Sequence, residues 1–187
     1  IIKDMFNRMF SWSFVAAACV AGSFPALSRG QEGAAQSGSA AVKVPAASLL
    51  MARQEVGETR LDRSFKNGEL SIGGKKYAAG IGTHATSMIP LPVPEGSGSR
   101  VWKLEGACGI DDGTDGDGSV EFRVMSGSEV LWSSGVMKRG MPAKKFSVPV
   151  AENGIRHLYL VADRVENNSY DHADWVDLVW KTGGEPQ

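Results

Sequence analysis

Four short segments carry the side chains that could do chemistry. The last is Tyr170-Asp171-His172-Ala173-Asp174-Trp175-Val176-Asp177, which sets three carboxylates, an imidazole and an indole within eight residues. The others are Gly80-Ile81-Gly82-Thr83-His84-Ala85, Gly109-Ile110-Asp111-Asp112-Gly113 and Trp132-Ser133-Ser134-Gly135-Val136. Sugars present hydroxyl edges and apolar C–H faces, so a sugar site needs a flat ring together with paired donors and acceptors. His84, Asp171, His172 and Asp174 offer the polar half, and Trp132 and Trp175 offer the rings. Arg63 and Asn167-Asn168, in expected loops, are further polar candidates.

Catalysis needs more than these residue types. Asp171 with Asp174, or Asp111 with Asp174, could act as acid and base on a glycosidic bond. His84, His172 and Asp174 could hold a metal. Neither set has a diagnostic spacing. The chain has no HExxH, no Gly-x-Ser-x-Gly and no phosphate loop, and Ser133-Ser134-Gly135 does not make a nucleophile elbow. The residues therefore point to binding, with no catalytic residue assigned.

The loop Asp111-Asp112-Gly113-Thr114-Asp115-Gly116-Asp117-Gly118 spaces hard oxygen donors along a Gly-rich segment, which suits a structural calcium held by Asp111 and Asp112. It is not an EF-hand, because Phe122 falls where the bidentate Glu belongs. The other reading is an acidic turn whose carboxylates bond backbone amides.

The elements expected to position these groups are short strands. Leu70-Ser71-Ile72 and Lys75-Lys76-Tyr77 flank Gly73-Gly74 as a tight hairpin. Strands are expected over 87–91, 100–108, 119–125, 129–133, 145–150, 157–162 and 173–181, with single helical turns at 46–52 and 62–66. His84 follows Gly82-Thr83 and is read as lying in a turn. Many short strands between Gly-rich turns predict an all-β, antiparallel β-sandwich or jelly roll.

Alternation divides the last strand into two faces. His172, Asp174, Val176, Leu178 and Trp180 share one, which ends in apolar residues and is expected to face the core. Asp171, Ala173, Trp175, Asp177 and Val179 share the other. Trp175 is then either a stacking platform or a ring packed under a loop or second layer.

At the N-terminus, Lys3 and Arg8 precede an apolar stretch over about residues 9–24, and Ala26-Leu27-Ser28 spaces small residues as a signal peptidase requires. The expected organisation is an export signal over 1–28, a flexible linker over 29–45, a sandwich over 46–182 and a tail over 183–187. This implies a secreted or periplasmic protein with no membrane span in its mature form. A membrane anchor, or a lipoprotein signal ending at Cys19, is the alternative. Cys108 is the second of two cysteines and reads as a small buried residue. With 20 Lys plus Arg against 21 Asp plus Glu, and no basic stripe, nucleic acid is not an expected partner.

The hairpin Leu70-Ser71-Ile72-Gly73-Gly74, the GIGTHA segment at 80–85, the Ile110-Asp111-Asp112 segment, Leu131-Trp132 with Ser134-Gly135-Val136-Met137, and the closing DHADW segment occur in order over about 47–181. In these motifs the chain resembles the NPCBM family, related to carbohydrate-binding module family 51. The resemblance implies a galactose-binding-like sandwich, secretion, glycan or polysaccharide binding, a glycoside hydrolase partner and a structural calcium. No catalytic module accompanies it in this sequence. Protein–protein adhesion is the other function to weigh, since fold alone does not choose the ligand.

Overall fold

The computed structural model describes residues 46–94, 102–150 and 155–182. The expectations for 1–28, 29–45 and 183–187 lie outside those residues. A short helix, α1 (Ala46–Leu50), leads into twelve strands. They are β1 (Arg53–Gln54), β2 (Arg60–Leu61), β3 (Leu70–Ile72), β4 (Lys75–Tyr77), β5 (Gly80–His84) and β6 (Ser87–Pro92), then β7 (Trp102–Ile110), β8 (Ser119–Ser126), β9 (Glu129–Lys138), β10 (Lys144–Val150), β11 (His157–Arg164) and β12 (His172–Thr182).

Two antiparallel five-stranded sheets, ordered β1-β6-β11-β8-β9 and β10-β7-β12-β5-β2, stack face to face, and β3-β4 forms a separate hairpin. The expected all-β sandwich is present. The first sheet sends Ile89, Leu91, Val120, Phe122, Val124, Leu158 and Leu160 into the shared core. The second sends in Ile81, Leu104, Cys108, Ile110, Phe146, Val148, Trp175 and Trp180. On β10 these residues alternate with exposed neighbours, as a half-buried sheet requires, whereas β5, β6 and β11 are buried along most of their length. Cys108 is fully buried, and burial pushes its thiol far above the usual range, so it is an inert core residue.

Three expectations change. The segment carrying His84 is a strand, β5, paired between β12 and β2. Its glycines hid that, but they allow close approach: a Cβ on Gly82 would lie 2.3 Å from the Arg63 carbonyl, and one on Gly80 would lie 2.3 Å from the Trp175 carbonyl. Residues 62–66 form bends and a turn, not a helical turn.

The faces of β12 also change. Ala173 and Trp175, not Asp174 and Val176, face the main core. A β-bulge between Val176 and Val179, with Asp177 at φ 53, adds one residue opposite β7 and reverses the alternation. Trp175 pairs with Cys108 before the bulge and Trp180 with Leu104 after it, so both indoles reach the same core.

On the outer face of the second sheet, Leu70 and Ile72 of the hairpin meet Ala107 and Val176 in a smaller cluster. Gly109 lets the hairpin down onto the sheet, since a Cβ there would sit 2.4 Å from Ile72 Cγ2.

Candidate functional site

Strands β5, β7 and β11 end where β6, β8 and β12 begin, so the connections 85–86, 111–118 and 165–171 gather at one end of the sandwich. The two segments singled out from sequence converge there. His172 pairs across the ladder with His84, and Asp174 with Gly82 and Gly109. Most of the expected binding groups are nevertheless sealed.

Trp175 is 0% exposed, with its ring 5.2 Å from Phe122 and 5.7 Å from Phe146. A ring held edge-on between two core phenylalanines cannot stack on a sugar, so the platform expected at Trp175 is withdrawn. Asp174 is also fully buried and cannot touch a ligand. Burial and the adjacent Asp111 push its carboxyl up to about 10, so it keeps its proton at neutral pH and shares a hydrogen bond with Asp111. Ser71 N donates to both acids, at 3.3 Å to Asp111 Oδ2 and 3.4 Å to Asp174 Oδ2. The pair therefore ties β3 to β7 and β12.

Asp171 turns inward, where its Oδ1 accepts from Ser119 N at 2.8 Å, and burial raises its pKa. His84 Nδ1–H donates to the Ala85 carbonyl at 2.7 Å. The His84 and His172 rings lie 5.5 Å apart, each 4.9 Å from Phe65, and both imidazoles are buried. Desolvation, with His84 next to it, lowers the His172 pKa to about 4. Trp132 lies on β9, half-buried, its ring 5.1 Å from Phe146 at the open edge between the sheets. It is far along its strand from the loop end. Arg63 and Asn167-Asn168 are exposed, the latter in the 165–171 connection.

The calcium expected at Asp111 and Asp112 does not fit their surroundings. Asp112 already accepts from Ser71 Oγ at 2.6 Å, Gly73 N at 3.0 Å and Gly74 N at 2.8 Å. Asp111 Oδ1 accepts from Gly113 N at 3.0 Å, and its other oxygen faces a protonated acid. Amide and hydroxyl donors occupy the carboxylate oxygens that a hard cation would need. Among the described residues no group of three or more His, Cys, Asp or Glu is placed to hold a metal ion. The acidic turn bonding backbone amides is the reading that the geometry carries.

Other groups at this end do reach solvent. Tyr170 stands half-exposed before β12, and Lys66 pairs with Asp115 on the 111–118 loop. Lys66 holds the Asp115 carboxyl below its usual range. Sequence reasoning placed Tyr170 in the right segment but chose its neighbours. It missed Phe65 and Lys66, whose segment has no strand period to mark it.

A two-sheet antiparallel sandwich with polar loops gathered at one end is the architecture of galactose-binding-like carbohydrate-binding modules. Residues 41–180 match the NPCBM/NEW2 domain, and the chain belongs to that family. Over 186 residues it is 81% identical to alpha-1,3-galactosidase B of Akkermansia muciniphila, a match that takes in all of this chain and 23% of that protein. The CBM51 module of Clostridium perfringens GH95, solved in complex with methyl-galactose, superposes with a TM-score of 0.61 at 26% identity. That match covers 75% of this chain and 95% of the module. CBM51-2 of Clostridium perfringens ZmpB, solved with GlcNAc, superposes with a TM-score of 0.55 at 29% identity, over 70% of this chain and 29% of that one.

Proposed function

We propose that this chain is a non-catalytic module that binds a galactose-type sugar through its loop end and so brings a glycoside hydrolase to its polysaccharide or glycan. The observation that carries the reading is the likeness over three quarters of the chain to a module solved with methyl-galactose, within a shared carbohydrate-binding family. The relative in Akkermansia supports the hydrolase partner, because its matched share leaves room for a catalytic part. Export guided by residues 1–28 belongs to the same reading and is supported by the charge and apolar pattern there.

The acid chemistry of the site also favours binding. A hydrolase needs two carboxyls that can reach one glycosidic bond. Asp111 and Asp174 are buried beneath the hairpin and are committed to each other and to Ser71. They tie the hairpin to the second sheet and leave recognition to the exposed rim.

Isothermal titration of the chain with methyl galactoside, GlcNAc and glucose tests this function. Saturable binding of the galactoside with weaker or absent binding of glucose is expected, at low affinity for a single shallow site. Equal indifference to all three sugars would remove the proposal. An assay with aryl galactosides should show no turnover.

A further inference from the structure

Tyr170 combines two properties that a structural tyrosine rarely combines. Among the described residues it is the one exposed phenylalanine, tyrosine or tryptophan, at 50%. Its backbone also sits at φ 66, in the left-handed region that a bulky side chain occupies only when the surroundings impose it.

The surroundings do impose it. The Tyr170 carbonyl accepts from Thr114 Oγ1 at 3.0 Å and from His172 N at 2.8 Å. The ring lies on Gly116, where a Cβ would be 2.5 Å from Tyr170 Cδ2. Gly118 is bare for the same reason, since a Cβ there would be 2.3 Å from the Tyr170 carbonyl. Gly116 thus seats the ring, while Gly118 and Thr114 of the same loop hold the Tyr170 carbonyl that fixes its backbone, and the ring's outer side stays in water. The hydrophobic effect gives little reason to hold an exposed ring this way.

We propose that Tyr170 is the stacking platform for the sugar's C–H face, with the neighbouring Lys66–Asp115 pair reading its hydroxyls. This rests on the carbohydrate reading and gives it an address. The ligand class is a pyranose with one apolar face, as galactose has. The ring supplies a flat apolar surface that is already ordered, so binding it costs little further entropy. Asp115 accepts and Lys66 donates from the residue next to Gly116 and from the segment facing it. The buried histidines and Asp171 lie behind this surface and hold β5, β8 and β12 in place under it.

The experiment is titration of the 187-residue chain with methyl galactoside, with melting temperatures recorded in parallel. Tyr170→Gly removes the ring and also relieves the left-handed strain. It should hold or raise the melting temperature while weakening binding by about tenfold or more. Tyr170→Phe should bind within about threefold of the parent, because the flat face survives. Gly116→Ala keeps every polar group yet lifts the ring from its seat, and should also lose most of the affinity. Trp132→Ala should leave affinity unchanged. If the parent binds and both Tyr170→Gly and Gly116→Ala bind equally well, the platform is elsewhere and the proposal fails while the carbohydrate reading stands. If Tyr170→Gly instead loses stability together with affinity, the ring is structural and the proposal likewise fails. If the parent binds neither methyl galactoside nor GlcNAc, the carbohydrate reading itself falls and takes the platform with it.

Discussion

His172 stands directly across the β5–β12 ladder from His84, with the two rings 5.5 Å apart and Phe65 closing over both. Two imidazoles this close and this buried cannot both carry a proton cheaply. His172 bears the consequence, because burial and its partner hold it neutral down to about 4. The pair fastens the candidate binding end of the second sheet and is not itself open to a ligand.

Acid should therefore loosen this protein through His172. In the unfolded chain the imidazole titrates near its ordinary value of 6.5, and in the fold only near 4. Above the higher value both states are neutral and nothing is lost. As pH falls between the two values the unfolded state binds the extra proton, so stability declines by one proton's slope. His172→Gln should flatten that part of the curve when melting temperature is followed from pH 7 to 4. An unchanged slope in the variant would show that other groups set the acid limit.

Asp174 predicts the opposite end of the pH scale. Its folded pKa lies near 10 against an ordinary 3.8, so between those values folding must hold a proton that the unfolded chain has released. The sign follows: this group's effect on stability is best below the lower value and worsens steadily as pH rises towards the upper one. Asparagine keeps the shape, donates to Asp111 and accepts from Ser71 N without any proton to hold. Asp174→Asn should raise the melting temperature by a few degrees at pH 7 and by more at pH 9. Asp174→Ala should lower it, since Asp111 and Ser71 then lose a buried partner.

Much of this was legible in the residues. The strand period marked most strands to within a few residues, because strands such as β8 and β10 carry one side in the core and the other nearer solvent. Two features resisted. Gly80 and Gly82 look like turn residues, and only the backbone that lies against them explains why a strand needs them. The bulge after Val176 has no signature in its own residues, so the inner face of β12 was assigned with the wrong parity and Trp175 was sent outwards. The motif residues were rightly expected to meet. That they are sealed follows from layers which the sequence does not display, above all Phe65 and the β3–β4 hairpin.

Trp175 separates stability from recognition. It is wholly buried between Phe122 and Phe146, so Trp175→Ala opens a large cavity and should cost about 3–5 kcal/mol in denaturant unfolding. No ligand contact goes with it. Affinity for methyl galactoside, measured at a temperature where the variant stays folded, should match the parent. A specific loss of affinity in a fully folded variant would return Trp175 to the binding site.

The hairpin offers a test of how tightly the outer layer is fitted. Ile72 Cγ2 would lie 2.4 Å from a Cβ on Gly109, so Gly109→Ala must displace either the isoleucine or the strand. Overpacking of this kind costs about 1–3 kcal/mol. The clash needs both side chains, so it should nearly vanish where Ile72 is already alanine. A double-mutant cycle of Gly109→Ala with Ile72→Ala should therefore show a coupling of about 1–2 kcal/mol, with the double variant more stable than the sum of the singles predicts. Strict additivity would mean that the hairpin floats free of Gly109. In that case the hairpin would no longer cover Asp174, and the part of its alkaline effect that comes from burial would weaken, while the part due to Asp111 would remain.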